Sequence, residues 1–326
     1  MTILGENSMK PQPLPAIFGE SYPSPLRIGL IGLDTSHVVS LARLLNSSAA
    51  SPFPGVRITV GWPGGSDDFV LSRERVEGFT SELREHYGVS ILDSPEAVAD
   101  DSDLLFITSV DGRVHLEQFR RIVARRKPVF IDKPFATSLA DACAIVSLAD
   151  SVGTAVASCS LLRFAGELPV ALTGGREDIA GCDAYGPMSE QPTQPGLFWY
   201  GCHGVEMLVA AMGSGCREVR CVRTEGHDLL TAVWGDGRVA SYHGLRDVTA
   251  KFGLVLHRRA GTQPLDLYAG KSWEEALVDA LLRTLPRKRS PVPPAEMLEV
   301  VAIMEAANRS RERRGAPEAV AACPGS

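Results

Sequence analysis

Between residues 27 and 158 short apolar runs alternate with stretches whose apolar residues return at helical spacing, and this alternation constrains the fold more than any other feature. Runs at 27–31, 56–61, 89–92, 104–108, 129–131 and 154–158 have strand length. The segments at 38–46, 72–87, 115–126 and 138–152 carry helical periodicity. Parallel strands need crossover connections, and crossover helices cover both faces of the sheet, so strands apolar on both sides belong in a parallel arrangement. The expectation is a doubly wound parallel α/β sheet with its ligand crevice at the carboxyl ends of the strands.

Beyond residue 158 the pattern changes. Residues 165–196 are rich in glycine and proline and give no clear period; a helix is expected over 199–213. The strand-like runs EVRCVRT, LLTAVWGD, RVASYHGL and KFGLVLHR then follow one another, with Gly235-Asp236-Gly237 as a hairpin turn, before helices at 273–285 and 295–311. This predicts an α+β domain built on a mostly antiparallel sheet. The chain of 326 residues divides accordingly into an extended proline-rich arm (1–25), a nucleotide-binding domain (26–158), a substrate and oligomerisation domain (159–314) and a mobile tail (315–326). A net charge of −6 argues against nucleic acid as a partner, which requires a concentrated basic face. No apolar run approaches the ~18 residues of a membrane span, and the amino terminus lacks a signal-peptide pattern, so the expected location is cytoplasmic and the expected partner a small molecule. Seven scattered cysteines without a Cys-x-x-Cys spacing read as free thiols and mark no zinc site.

The stretch 127–136, KPVFIDKPFA, ends the fifth of the apolar runs with an acid, a lysine and a proline. An ammonium at a strand terminus can donate to a substrate oxygen, or relay a proton where its surroundings bring its pKa down from about 10.4. A lone Asp-Lys-Pro is more often a solvated lysine entering a loop, so the surrounding sequence decides. The opening RIGLIGLDTSH, the segment LLFITSVDGRVHLEQF, KPVFIDKPFA itself, the helix at 138–152 with the strand TAVAS, and further on WYGCHGVEML and PPAEMLEVVAIMEAANRS together resemble the Gfo/Idh/MocA oxidoreductases over most of the chain. The family's Glu-Lys-Pro stands here as Asp132-Lys133-Pro134. The resemblance implies a Rossmann domain, NAD or NADP as cofactor, and a hydroxyl–carbonyl interconversion on a sugar-like or other small polar substrate. It also implies a homo-oligomer, dimer or higher, paired through the second sheet.

Under that resemblance Lys133 polarises the substrate oxygen and Asp132 orients the lysine. The family also carries an aspartate followed four residues later by a histidine that faces the nicotinamide. Those positions are Trp199 and His203 here, so only His203 transfers, as the group exchanging a proton with the substrate; a histidine satisfied within a helix interface is the structural alternative. Glu206 shares the His203 face at one helical turn and is expected to pair structurally.

Cofactor contacts are expected from Gly32, Asp34, Thr35, Ser36, His37, Trp62, Ser109 and Lys133. The dinucleotide fingerprint uses three glycines. Gly32 supplies the first, whereas Asp34 and His37 occupy the other two positions, placing a carboxylate where a pyrophosphate would lie. Thr35 and Ser36 offer hydroxyls and amides at a helix N-terminus; capping by Asp34 or Thr35 is equally consistent with the pattern. Trp62 stands near the position of the family's ribose-binding acid and either stacks on adenine or anchors its loop, with Asp67 and Asp68 as substitute acids and Arg73 or Arg75 as partners for a 2′-phosphate. Ser109 lies in the turn after the run 104–108, and His115, in the next helix, is read as bonding to a neighbouring turn. Because two glycines, the ribose acid and the catalytic aspartate are all replaced, the fold also admits a second reading: a lyase, epimerase or hydrolase, or a ligand sensor. The spacing of Asp34, His37, His203 and Glu206 marks no metal site.

Overall fold

The computed structural model of the chain describes residues 23–47, 51–246 and 248–323; the expected arm over 1–25 lies outside the described residues up to residue 22. Strands β1 (Leu26–Ile31), β2 (Val56–Trp62), β3 (Ser90–Ile91), β4 (Leu104–Ile107), β5 (Val129–Ile131) and β6 (Val156–Ser158) form one sheet in the order β3-β2-β1-β4-β5-β6. Every pair in it is parallel. Helices α1 (Ser36–Asn46), α2 (Val70–Tyr87), α3 (Pro95–Asp100), α4 (His115–Ile122) and α5 (Leu139–Val152) make the connections. All residues of β4, β5 and β6 are buried, which accounts for their apolar runs. The strand order reverses between β1 and β4, so the crevice opens there.

The second half starts with the short α6 (Leu168–Ala171), then β7 (Ile179–Pro187), α7 (Gly201–Met212), β8 (Cys216–Arg223), β9 (His227–Trp234), β10 (Val239–Leu245), β11 (Gly253–Arg258) and β12 (Gly261–Leu265). Helices α8 (Trp273–Thr284) and α9 (Pro294–Glu312) and the short β13 (Glu318–Ala319) complete it. The sheet order is β12-β11-β7-β10-β9-β8-β13. All pairs are antiparallel except β7 with β10. Burial alternates along β9 and β10, as it must in a sheet covered on one side. Helix α7 is buried along its whole length between β7, β10 and α9, and α9 also packs on α5 and β6, joining the two halves.

Two expectations are corrected. The described part of the tail, residues 315–323, is anchored: Glu318 pairs with Arg309 and Arg313, and β13 adds to the edge of the second sheet through β8. Cys143 and Cys323 form a disulfide with a Cα–Cα distance of 6.0 Å, whereas Cys159, Cys182, Cys202, Cys216 and Cys221 are free and buried. Sequence spacing reveals pairs close along the chain, and this pair is 180 residues apart.

Candidate active site

The turn after β1 packs directly against the turn after β4. Gly32 has φ of +88° and a Cβ there would collide with Ser109, so only glycine suits the position. Thr35 caps α1, its hydroxyl accepting the His37 N–H at 3.4 Å, and Ser36 is exposed. His37 reaches across to the end of β5, where its Nδ1 lies 2.5 Å from Asp132 Oδ2. The other carboxylate oxygen, Oδ1, accepts the backbone N–H of Lys133 at 2.9 Å. Burial alone would raise the Asp132 pKa, but the His37 charge and hydrogen bond, together with the Lys133 charge, hold it well below the usual carboxylate range. Asp132 therefore tethers His37 and the Lys133 backbone.

His203 approaches from α7. Its Nδ1 lies 2.6 Å from Ser160 Oγ, just past β6, and the residue is buried. Burial first, then the positive charges of Lys133 and His37, drives its pKa well below that of an ordinary imidazole, against an opposing pull from Asp132. The ring is held neutral. The ring contacts of Trp199 with Lys133 and of Tyr200 with His203, and the His37–Asp132 bond, put Lys133, His37 and Asp132 of the first half in one neighbourhood with His203 of the second. Aromatic groups wall it: the Lys133 Nζ stands 5.5 Å from the centroid of the Trp199 ring, an arrangement that stabilises a cation, and the rings of Tyr200 and Phe252 meet His203 edge-on at 5.5 and 5.4 Å. The place of the family's aspartate is thus taken by an indole facing the lysine. A cavity of about 20 Å³, enough for one water, is bordered by His37, Thr108, Asp132 and Glu274.

Glu206 has the structural role expected of it. It accepts the Ser160 N–H and pairs with buried Arg163, which also binds Glu296 at 2.6 Å; Arg176 completes the group at 2.8 Å from Glu296. This network fixes Ser160, and through it the ring of His203.

The other end of the crevice is filled by the chain's own residues. The N–H groups of Gly32 and Leu33 donate to the carbonyls of Trp62 and Pro63 at 2.9 and 2.7 Å. Gly64, with φ of +61°, packs against Gly32 and the Trp62 ring. Asp34 is fully buried: one oxygen accepts the Val110 N–H at 2.8 Å and the other the Ser72 hydroxyl at 2.5 Å, while Ser72 accepts the Ser66 N–H. Burial raises the Asp34 pKa, with these hydrogen bonds opposing it. Trp62 carries the Arg121 guanidinium 5.5 Å from its ring centroid. Asp68, a candidate ribose acid, is bound by Arg113, which also binds Asp111, and Gln194 of the second half donates to Asp111 at 2.8 Å.

The structure therefore brings together Lys133, Asp132, His203 and His37, and sets Gly32, Asp34, Trp62 and Ser109 at the filled end. Ser109 exchanges hydrogen bonds with Gln118, and its carbonyl lies 2.9 Å from His115 Nε2, so His115 has the backbone-binding role read for it. His243 pairs with His227 on the exposed face of the second sheet, away from this group. Sequence reasoning missed Ser160, although its place at the carboxyl end of a strand was a usable signal. It also missed Gln194, Arg113 and Ser72, whose partners are distant in sequence.

These features define the class: a Rossmann-type α/β protein with an appended antiparallel-sheet domain. Residues 71–158 match the model of the oxidoreductase family with an NAD-binding Rossmann fold, GFO_IDH_MocA. No curated protein shows significant sequence similarity to it. Among solved structures, scyllo-inositol dehydrogenase from Lactobacillus casei superposes with a TM-score of 0.75 at 13% identity, covering 93% of this chain and 100% of that one. Myo-inositol dehydrogenase from the same organism, in complex with NAD(H) and myo-inositol, gives 0.70 at 15%, covering 92% and 98%. UDP-N-acetylglucosamine 3-dehydrogenase from Acidithiobacillus ferrooxidans gives 0.70 at 14%, covering 88% and 98%.

The fit of this chain's residues to a nicotinamide dinucleotide differs between the two ends of the crevice. Lys133 and His37 supply polar groups at one end, and the exposed Ser36 opens the N-terminus of α1. At Gly32 the fingerprint arrangement does not fit, because the backbone groups and the Val110 N–H are already bonded within the protein.

Proposed function

We propose that the protein is an NAD- or NADP-dependent oxidoreductase that interconverts a hydroxyl and a carbonyl on a small polyol- or sugar-like substrate. The observation that carries this reading is the Lys133 ammonium, at the end of β5, standing over the ring of Trp199, four residues before His203 in the other half of the chain. When bound, a nicotinamide accepts or supplies the hydride. The protein's own residues do the rest. The Lys133 ammonium donates to the substrate oxygen and stabilises charge developing there. With Nδ1 held by Ser160, Nε2 of His203 is the atom that exchanges a proton with the substrate. An imidazolium formed in that buried position is strongly acidic, so His203 does not retain the proton and passes it on. The aromatic wall of Trp199, Tyr200 and Phe252 keeps bulk water from the reacting carbon. The inositol and amino-sugar dehydrogenases among the structural neighbours support the choice of substrate class.

The filled turn at Gly32 favours a second reading, a non-redox enzyme or sensor on the same fold. One titration separates the two: NADH and NADPH are added with nicotinamide fluorescence followed, and inositols and sugar nucleotides are then screened with the oxidised cofactors. Saturable binding below millimolar concentration, with absorbance change on a polyol or sugar substrate, is the expected result. Absence of binding to millimolar concentrations with substrates present returns the chain to the second reading. Native mass measured on the same sample tests the proposed homo-oligomer, for which the outer face of the second sheet exposes Tyr185, Val222, Leu229, Val233 and Val239.

A further inference from the structure

The turn after β1 holds a carboxylate in place of a glycine, and that carboxylate is fully engaged. Asp34 takes the Val110 N–H and the Ser72 hydroxyl, and Ser72 in turn orders Ser66 in the loop that folds over Gly32. A pyrophosphate bound at such a turn needs what Asp34 takes away: an unsatisfied amide, a hydroxyl, and freedom from nearby negative charge. We infer that Asp34 is a built-in competitor for the cofactor's diphosphate, occupying its donors and opposing its charge, so that it sets how weakly this protein holds a dinucleotide. The inference rests on the reading of the protein as a nicotinamide enzyme, and concerns the adenosine-diphosphate end alone.

The reasoning separates occupancy from charge. Asp34→Gly frees the Val110 amide and the Ser72 hydroxyl and removes the charge. Asp34→Asn removes the charge while its amide group can still accept from Val110 and bond to Ser72. Two unit charges ~5 Å apart at an effective dielectric of about 20 interact strongly enough to change a binding constant by well over tenfold, so both variants are expected to tighten binding.

The test is isothermal titration of wild type, Asp34→Asn and Asp34→Gly with NADH and with ADP-ribose, which carries the adenosine and diphosphate and lacks the nicotinamide. The expected result is affinity for both probes at least about tenfold higher in Asp34→Gly, with Asp34→Asn between it and wild type. Affinities equal to or weaker than wild type in the folded variants overturn the inference, and circular dichroism melting establishes folding; should the glycine variant fail to fold, the asparagine variant decides. If wild type binds NADH and neither variant improves on it, the proposed function stands and this inference falls. If ADP-ribose binds the variants while wild type binds no nicotinamide nucleotide and turns over no substrate, the inference stands and the proposed function falls.

Discussion

At the scale of single residues, Lys133 and His203 approach one another only because two remote stretches fold together. Replacing Lys133 with alanine removes the donor to the substrate oxygen and leaves the Asp132–His37 pair, whose bonds involve the Lys133 backbone and not its ammonium. Turnover is expected to fall by ~10²-fold or more with cofactor affinity nearly unchanged; steady-state kinetics beside NADH titration checks this, and near-normal turnover removes Lys133 from the mechanism. Lys133 was legible because it ends a recognisable strand, and His203 because a motif position carried it. The Asp132–His37 bond was not, since two residues 95 positions apart show no period or spacing that links them. The same holds for Asp34: its departure from the glycine pattern was visible, but its partners Val110 and Ser72 were not.

At the scale of elements, the crevice is closed by a clasp. Arg113, at the start of the helical segment after β4, holds Asp111 and also reaches Asp68 in the β2–α2 loop, while Gln194 joins from the segment before α7. Asp111 is fully buried, and although burial pushes its pKa up, hydrogen bonds from Arg113 and Gln194 bring it down to about 2. An ordinary aspartate titrates near 3.9 in the unfolded chain, so the folded value is depressed, and the clasp's contribution is complete above the unfolded pKa and lost as pH falls toward the folded one. Asp111→Asn is expected to cost about 2 kcal/mol at pH 7, from the size of that shift, with the difference from wild type shrinking between about pH 4 and pH 2. Urea denaturation across that range measures it; a difference independent of pH rejects the assignment. The strands and helices of the first sheet were legible because burial on both faces writes continuous apolar runs. Strand β7 was not, although it lies inside the second sheet. Its sequence, IAGCDAYGP, is buried at alternate positions by small residues and glycines, which carry little hydrophobic signal.

At the scale of the whole molecule, the two halves are joined by α9, by the Gln194–Asp111 hydrogen bond, and covalently by Cys143 of α5 with Cys323 beyond β13. A disulfide restricts the unfolded chain in proportion to the logarithm of the loop it closes, and a loop of 180 residues lies at the upper end of that scale, about 5 kcal/mol in the chain-entropy model. Native packing of α9 on α5 and of β13 on β8 already brings the two cysteines close, so the cross-link acts on the unfolded state more than on the folded one. Such bonds are rare in the reducing cytosol, so the expected cytoplasmic location and the disulfide make opposing demands, and a thiol count decides between them. Protein unfolded without reductant is expected to show five reactive thiols, those of the free cysteines, and Cys323→Ser should lower the melting temperature by several degrees, with reductant bringing wild type to the same value. Seven reactive thiols in unreduced protein, or a melting temperature indifferent to both reductant and substitution, would leave the joining of the halves to noncovalent contacts such as those of α9 and the Gln194–Asp111 bond.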